Sequence, residues 1–347
     1  MSDMQCFANK VTNLNSGERI LHQLAERSFK EKKMIIQHLN KSHFSTCLLI
    51  VFLLFAGSCK NNKSISGNKI RNEKSQKVNN LFFTYDFTLE KKAVKERIRF
   101  LDSIGYSGVT FPVNTPKEFE KLKEYQRLVQ SETGNRLKIP AVFFAFNPEN
   151  KKASENWKKI ADQLAGTETD IWVIIGNGKT ETFQKGEVVQ FFKDIANYCE
   201  PLHLRVVIYP HDKTYIESAA ESLPYIKEAN CKNLFTSFHL CHELRAGNGA
   251  RMNEAIAEVA PYIKLASISG SNIIMDENTA PGYWDDAIKP LYKGDYNTTL
   301  FLKYLLQNGY KGPVALHTFG LKEPIDEHFS RSLKTWQKMC AEVSEVK

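Results

Sequence analysis

Two histidines three positions apart, with a glutamate beside the second, are the part of this chain best equipped for chemistry. They lie in Asn233-Leu-Phe-Thr-Ser-Phe-His239-Leu-Cys241-His242-Glu243-Leu-Arg245-Ala-Gly247. Imidazoles exchange protons near neutral pH and ligate metals, and a carboxylate can take or return a proton. A histidine in a loop often does no more than hydrogen-bond its neighbours. Here, however, residues 233–238 are apolar, aromatic and hydroxyl-bearing, as a buried strand is, and the polar turn after them contains Gly247 and Gly249. The cluster therefore falls where a strand gives way to a loop, the end of a parallel sheet at which ligands bind. It has company, because His211 and His317 also close apolar, strand-like runs.

These positions need a scaffold, and residues 81–347 supply a regular one. Strand-like runs fall at 81–87, 108–113, 139–146, 171–176, 205–210, 234–238, 263–269 and 314–318. Several are apolar at nearly every position, as strands buried on both faces are. Between them, apolar spacings of three and four predict helices over 93–104, 119–129, 157–164, 188–198, 216–229, 252–259, 298–308 and 329–343. Gly105, Gly134-Asn135, Gly166 and Gly309-Tyr-Lys-Gly312-Pro313 punctuate the gaps. Eight strand–helix units predict a single-domain α/β fold, a (β/α)8 TIM barrel. An open doubly wound sheet is the alternative, but no Gly-x-Gly-x-x-Gly follows the first strand. Segment 270–296 reads as a long strand-to-helix loop holding Trp284, Asp285 and Asp286, and such loops often cover a site.

In a barrel the strand ends converge, so distant residues can share a pocket. Strand one offers Thr84 and Asp86, strand four Asn177, strand five Tyr209 and His211, and strand six His239, His242 and Glu243. Strand seven adds Ser267 and Ser269, and strand eight His317 and Phe319. On this order of strand ends, above all Tyr209-Pro210-His211 and a strand-six residue followed three positions later by His242, the chain resembles the xylose isomerase-like TIM-barrel superfamily over roughly 81–340. That group holds sugar isomerases, epimerases and apurinic-site endonucleases. In its sugar epimerases, the resemblance implies, a divalent metal is held by Glu, Asp, His and Glu on strands five to eight, and the glutamates double as proton-transfer bases. The matching positions here are Tyr209 (or His211, if the register slips), His239, Ser267 and His317, while His242 keeps its residue type at a substrate-contacting position.

The oxygen-rich cage suited to Mn²⁺ or Mg²⁺ is thus absent. Two readings stay open. In one, His211, His239 and His317 hold Zn²⁺ or a similar ion that polarises a sugar carbonyl or activates water, with His242 or Glu243 moving the proton. In the other no metal binds, and the histidines join Tyr209, Asn177, Ser269, Trp284 and Phe319 in hydrogen-bonding and stacking on a carbohydrate. His203 and His328 read as surface residues, and Asp285 and Asp286 as solvated loop charges.

The formal net charge of +8 arises in residues 1–80, which hold 13 Lys and Arg against 5 Asp and Glu; the remainder balances. A neutral barrel argues against nucleic acid as partner. The seven cysteines form no CxxC or zinc pattern. Residues 47–56 are an apolar run of signal-peptide length, closed by Ala56-Gly57-Ser58-Cys59. This resembles the lipobox of bacterial lipoproteins, which implies lipidation of Cys59. The resulting expectation is a signal region over 1–58 (with translation starting at Met34), a polar tether over 59–80 and the barrel over 81–347. Together these features point to a membrane-anchored enzyme of the bacterial cell envelope, facing the periplasm or the exterior. It would act on a non-phosphorylated sugar or sugar derivative by proton abstraction next to a carbonyl, as isomerases and epimerases do, and a lyase or hydrolase of an oxidised sugar would share that step. A non-catalytic carbohydrate-binding protein on a reduced barrel is the alternative. An apurinic-site nuclease relic is disfavoured by the export signal and by the missing three-zinc ligand set.

Overall fold

The computed structural model describes residue 78 and residues 80–147, 156–176, 183–272 and 283–345. The expected signal region, Cys59, most of the tether and Asn177 lie outside the described residues. Among the described residues, no helix is long and apolar enough to cross a membrane.

Eight strands run parallel: β1 Phe82–Tyr85, β2 Gly108–Thr110, β3 Ala141–Phe146, β4 Asp170–Ile175, β5 Val206–Ile208, β6 Leu234–His239, β7 Ile263–Ile268 and β8 Val314–Leu316. Their order in the sheet is β2-β1-β8-β7-β6-β5-β4-β3. Parallel bridges Gly108–Lys138 and Pro112–Phe143 join the two ends, with the Val113 amide donating to the Phe143 carbonyl at 2.8 Å. The ring of strands is a (β/α)8 barrel. Strand β2 is shorter than its apolar run because Pro112 has no N–H to give the ladder.

The helices are α1 Val94–Ile104, α2 Pro116–Thr133, α3 Asn156–Leu164, α4 Lys185–Cys199, α5 Ala219–Ala229, α6 Leu240–Arg245, α7 Met252–Val259, α8 Tyr283–Ala287, α9 Thr298–Gln307 and α10 Ile325–Glu345. Helix α2 starts three residues before its apolar periodicity. Thr115 accepts the Glu118 amide at 3.2 Å, Glu118 accepts the Thr115 amide at 2.9 Å, and Pro116 fills the first helical position, a capping box written in Thr-Pro-Lys-Glu. Helix α6 occupies the stretch after β6 that reads as the start of a loop.

Strand alternation separates two cores. Outside, Phe82 stacks on Trp336 of α10 at 4.5 Å. Inside, Phe83, Tyr85, Phe143, Trp172, Val207, Tyr209, Leu265 and Ala315 fill the lumen. Each buried aromatic of this kind contributes up to about 3 kcal/mol by removal from water.

Candidate active site

The lumen rows change character toward the carboxyl ends of the strands. Residues two apart share a face, so β5 continues Val207, Tyr209, His211 and β6 runs Phe235, Ser237, His239. Strand β7 runs Leu265, Ser267, β8 runs Ala315, His317, and β1 runs Phe83, Tyr85. A bulge between Thr236 and Ser237 aligns Ser237 with Leu265 and His239 with Ser267. An irregularity of this kind re-aims side chains beside a site. By the same alternation Thr84 and Asp86 leave the lumen, and Tyr85, not read as a site residue, enters it.

His239 is wholly satisfied. Its Nε2 lies 2.8 Å from the Ser237 hydroxyl and its Nδ1 2.8 Å from the Ser267 hydroxyl. The Ser237 hydroxyl donates to the Ile208 carbonyl at 2.8 Å, so Nε2–H must donate to Ser237 and Nδ1 must accept from Ser267. The ring stacks on Tyr209 at 4.0 Å with the planes 3° apart. With both nitrogens engaged, His239 offers no lone pair to an ion.

His211 and His242 are different. Their rings lie 4.2 Å apart, and the backbone of one residue, Asp212, sets both tautomers. His211 Nδ1 is 2.8 Å from the Asp212 carbonyl, which only accepts, so Nδ1 carries the proton and Nε2 keeps its lone pair. The Asp212 amide is 3.3 Å from His242 Nδ1 and only donates, so the neutral ring carries its proton on Nε2. That Nε2 is buried with no hydrogen-bond partner among the described residues. One imidazole thus presents an acceptor and the other a donor. Beneath Asp212, the Arg245 guanidinium is buried 4.0 Å from the Asp212 carboxylate.

His317 points into the lumen, 4.5 Å from the Tyr85 ring and 6.1 Å from His242 between centroids. Its Nδ1 accepts the Phe319 amide at 3.4 Å and its Nε2 lies 3.4 Å from the Tyr209 hydroxyl, which also accepts from Tyr85 at 2.9 Å. Trp284 lies 5.7 Å from both His211 and His242. It is held there because the Asn272 amide donates to the Asp286 carbonyl at 2.9 Å and the Ser271 hydroxyl to Ala287 at 2.7 Å. Gly270 makes this possible, since a Cβ there would clash with the Lys293 and Pro290 carbonyls. Ser269 contacts Ser271 at 3.3 Å and the Ala287 carbonyl at 3.5 Å, which makes it part of the same support.

Glu243 has another task. One of its carboxylate oxygens accepts the Ala219 amide at the start of α5 at 2.7 Å and the other accepts from Asn248 at 2.5 Å. Ser218 supplies no side-chain cap to α5, so Glu243 does. Because α6 begins at Leu240, Glu243 stands about 100° around the helix from His242, and the two diverge. His328, read from sequence as a surface residue, is buried, its ring 5.0 Å from that of Phe329 and tilted 60° to it.

Burial keeps these imidazoles neutral. It lowers His211, lowers His239 and His242 well below the ordinary value with help from neighbouring histidines, and takes His317 down to about 3. Burial pushes the Cys241 thiol up to about 12 and the Glu243 carboxyl up to about 7. Tyr209, His239 and Ser267 carry no carboxylate, and His239 and Ser267 bond to each other, so the carboxylate cage that the resemblance implies is not reproduced. Cys241, His242 and His317 form a different group that could hold a metal, each bringing one donor atom to within 4.8 Å of the others. Sulfur and imidazole donors suit zinc by type. Their surroundings do not: a ligating imidazole normally donates its second N–H to a carbonyl or carboxylate, whereas His242 and His317 both meet a backbone N–H at Nδ1. As arranged, the set does not fit an ion.

No curated protein is similar to this chain in sequence at a level that establishes relatedness. Solved structures are similar in fold. The probable 3-DHS dehydratase AsbF of Bacillus anthracis superposes with a TM-score of 0.59 at 14% identity over 74% of this chain and 98% of its own. The 3-keto-D-glucoside 4-epimerase YcjR of E. coli gives 0.58 at 14% over 75% and 99%. IolI, whose structure carries a zinc atom, gives 0.57 at 15% over 76% and 97%. Residues 98–339 match the model of the xylose isomerase-like TIM barrel family, and the chain belongs to that family.

Proposed function

We propose that this protein is an enzyme that moves a proton at a carbon next to the carbonyl of a non-phosphorylated sugar or sugar derivative, as isomerases and epimerases do. The observation that carries it is the pair His211 and His242, 4.2 Å apart with opposite tautomers fixed by Asp212. Family membership supports it, and one similar fold is that of a sugar 4-epimerase.

The His211 Nε2 lone pair takes the C–H proton. The electrons of that bond form the C=C of an enediol, and the carbonyl π pair moves onto oxygen. His242 Nε2–H donates to that oxygen as charge develops, the role of a preorganised donor in a dry site. Isomerisation returns the His211 proton to the former carbonyl carbon. Meanwhile His242 Nε2 gives its proton to the former carbonyl oxygen and regains one from the neighbouring hydroxyl, whose oxygen becomes the new carbonyl. Epimerisation requires the enediolate to turn its other face to His211 before the proton returns to the same carbon. Burial leaves His211 neutral with its lone pair available at pH 7, and buried dipoles are worth more than in water. Tyr85, Tyr209 and His239 hold the floor, and Trp284 roofs the pair. A divalent metal would supply polarisation of the carbonyl. The hydrogen bonds at His242 and His317 disfavour one, and no step above is routed through it.

The test is deuterium uptake from D₂O into a panel of free aldoses and ketoses and their keto derivatives, read by mass spectrometry. Wild type should label at least one sugar, and His211→Asn and His242→Asn should not. Sugars that bind without exchanging would make the chain a carbohydrate-binding protein instead. Exhaustive metal removal should leave exchange intact, and loss restored by zinc would favour the Cys241, His242, His317 reading.

The proposal includes location. The apolar run 47–56 and Ala56-Gly57-Ser58-Cys59 support export and lipidation at Cys59, with 59–80 as tether. Metabolic labelling with a fatty acid should mark the wild-type protein and spare Cys59→Ser.

A further inference from the structure

We propose that the reacting sugar is the end unit of a glycoside whose next ring lies on an aromatic rim built from Trp284, Phe319 and Phe87. This rests on the sugar-active reading above and adds the size of the substrate.

The rings form a continuous strip from the imidazoles to solvent. Trp284 contacts His211 and His242 inward, and its centroid is 6.1 Å from Phe319 outward. Phe319 meets Phe87 edge-on at 5.4 Å, and Phe87 stacks on Tyr85 at 5.4 Å, back at the pocket wall. Phe319 is 45% exposed, and the other exposed large hydrophobic among the described residues, Leu81, sits at the opposite end of β1. Bare aromatic surface is costly in water, and here it stands at one spot beside the proton-active pair.

Its position is fixed. The Phe319 amide donates to His317 Nδ1, and the Thr318 hydroxyl donates to the Tyr85 carbonyl at 3.1 Å. Gly320, at φ 74°, then turns the chain away in the left-handed conformation. A flat apolar ring held at a mouth matches the C–H face of a pyranose. Asp285, next to Trp284 in the chain, and Lys322, three residues past Phe319, form a solvent-exposed ion pair at 3.8 Å, which suits the hydroxyl edge of a sugar ring. A single sugar at the imidazoles would leave the rim uncovered, and a linked second ring would cover it. One half-exposed phenylalanine is far below the roughly 800 Å² per side that a stable protein partner needs.

The test compares dissociation constants of wild type, Phe319→Ala and Phe319→Leu for glucose, galactose and mannose against cellobiose, maltose, lactose and mannobiose, by titration calorimetry. Wild type should bind at least one disaccharide about tenfold more tightly than its own end sugar, the scale of one aromatic contact. Phe319→Ala should bring the two together, and Phe319→Leu, a mild change that keeps apolar bulk without a flat face, should narrow the gap. Equal wild-type affinities, or a gap that survives both substitutions, overturn this inference alone. Absence of any saccharide binding overturns the sugar-active reading and this inference with it.

Discussion

Two buried polar clusters lie near the carboxyl end of β1, and they are built on opposite principles. On the outer side, Asp86 receives Arg97 at 2.7 Å, Tyr125 at 3.1 Å and Lys121 at 3.4 Å, while Arg97 also donates to the carbonyls of Lys92 and Glu90. Opposite charges meet, and the network ties the first strand-to-helix loop to α1 and α2. On the lumen side, four imidazoles and two phenols share hydrogen bonds with one another, serine hydroxyls and backbone, and burial holds the imidazoles neutral. A buried charge demands a partner and is then spent. A buried neutral imidazole can keep one nitrogen for a ligand, as His211 and His242 do and His239 and His317 do not.

That contrast can be broken from either side. The largest effect should come from the lumen. His211→Asn should lower the rate of deuterium exchange by about 10²–10⁴-fold, with unfolding free energy near that of wild type. Next is the outer network: Arg97→Met should cost about 3–5 kcal/mol by leaving a buried carboxylate short of its main partner, read by denaturant titration, with exchange per folded molecule retained. Third is Glu243→Ala, which strips an acceptor from the Ala219 amide and from Asn248 and should cost about 1–3 kcal/mol. A catalytic Glu243 would instead show a rate loss out of proportion to stability.

The smallest effect, but the sharpest, is the acid limb of stability. His317 is lowered from 6.5 to about 3 and His328 from 6.5 to about 4. Between pH 6.5 and 4 the unfolded chain therefore binds protons that the folded chain refuses. Unfolding free energy should fall with falling pH by about 1.4 kcal/mol per unit for each such histidine. Glu243, raised from 4.5 to about 7, works the other way, gaining stability as pH falls from 7 toward 4.5. His328→Gln should flatten the net slope by one histidine without touching the lumen, and an unchanged slope would mean that His328 is not buried neutral in solution.

How much of this was legible depends on how local the signal is. The strands showed themselves as apolar runs and the helices as three-and-four spacing, so the barrel follows from β1 to α10 with end shifts of a few residues. The Thr115–Glu118 capping box is equally local, written in Thr-Pro-Lys-Glu. So is the switch along each lumen row from apolar to polar, which selects Tyr85 over Thr84 and Asp86. Helix α6 was hidden, because six residues carry too little periodicity to distinguish a helix from a turn.

The sequence by itself determined that imidazoles stand at the ends of three strands of a parallel barrel, since residue type and strand period are properties of the chain. Only the tertiary structure decided what each one does. His239 and His242 are three residues apart and chemically identical, yet one is closed by two serines and the other left with a free donor. That difference comes from a bulge, a helix start and the backbone of Asp212, contacts made across strands that no local pattern encodes.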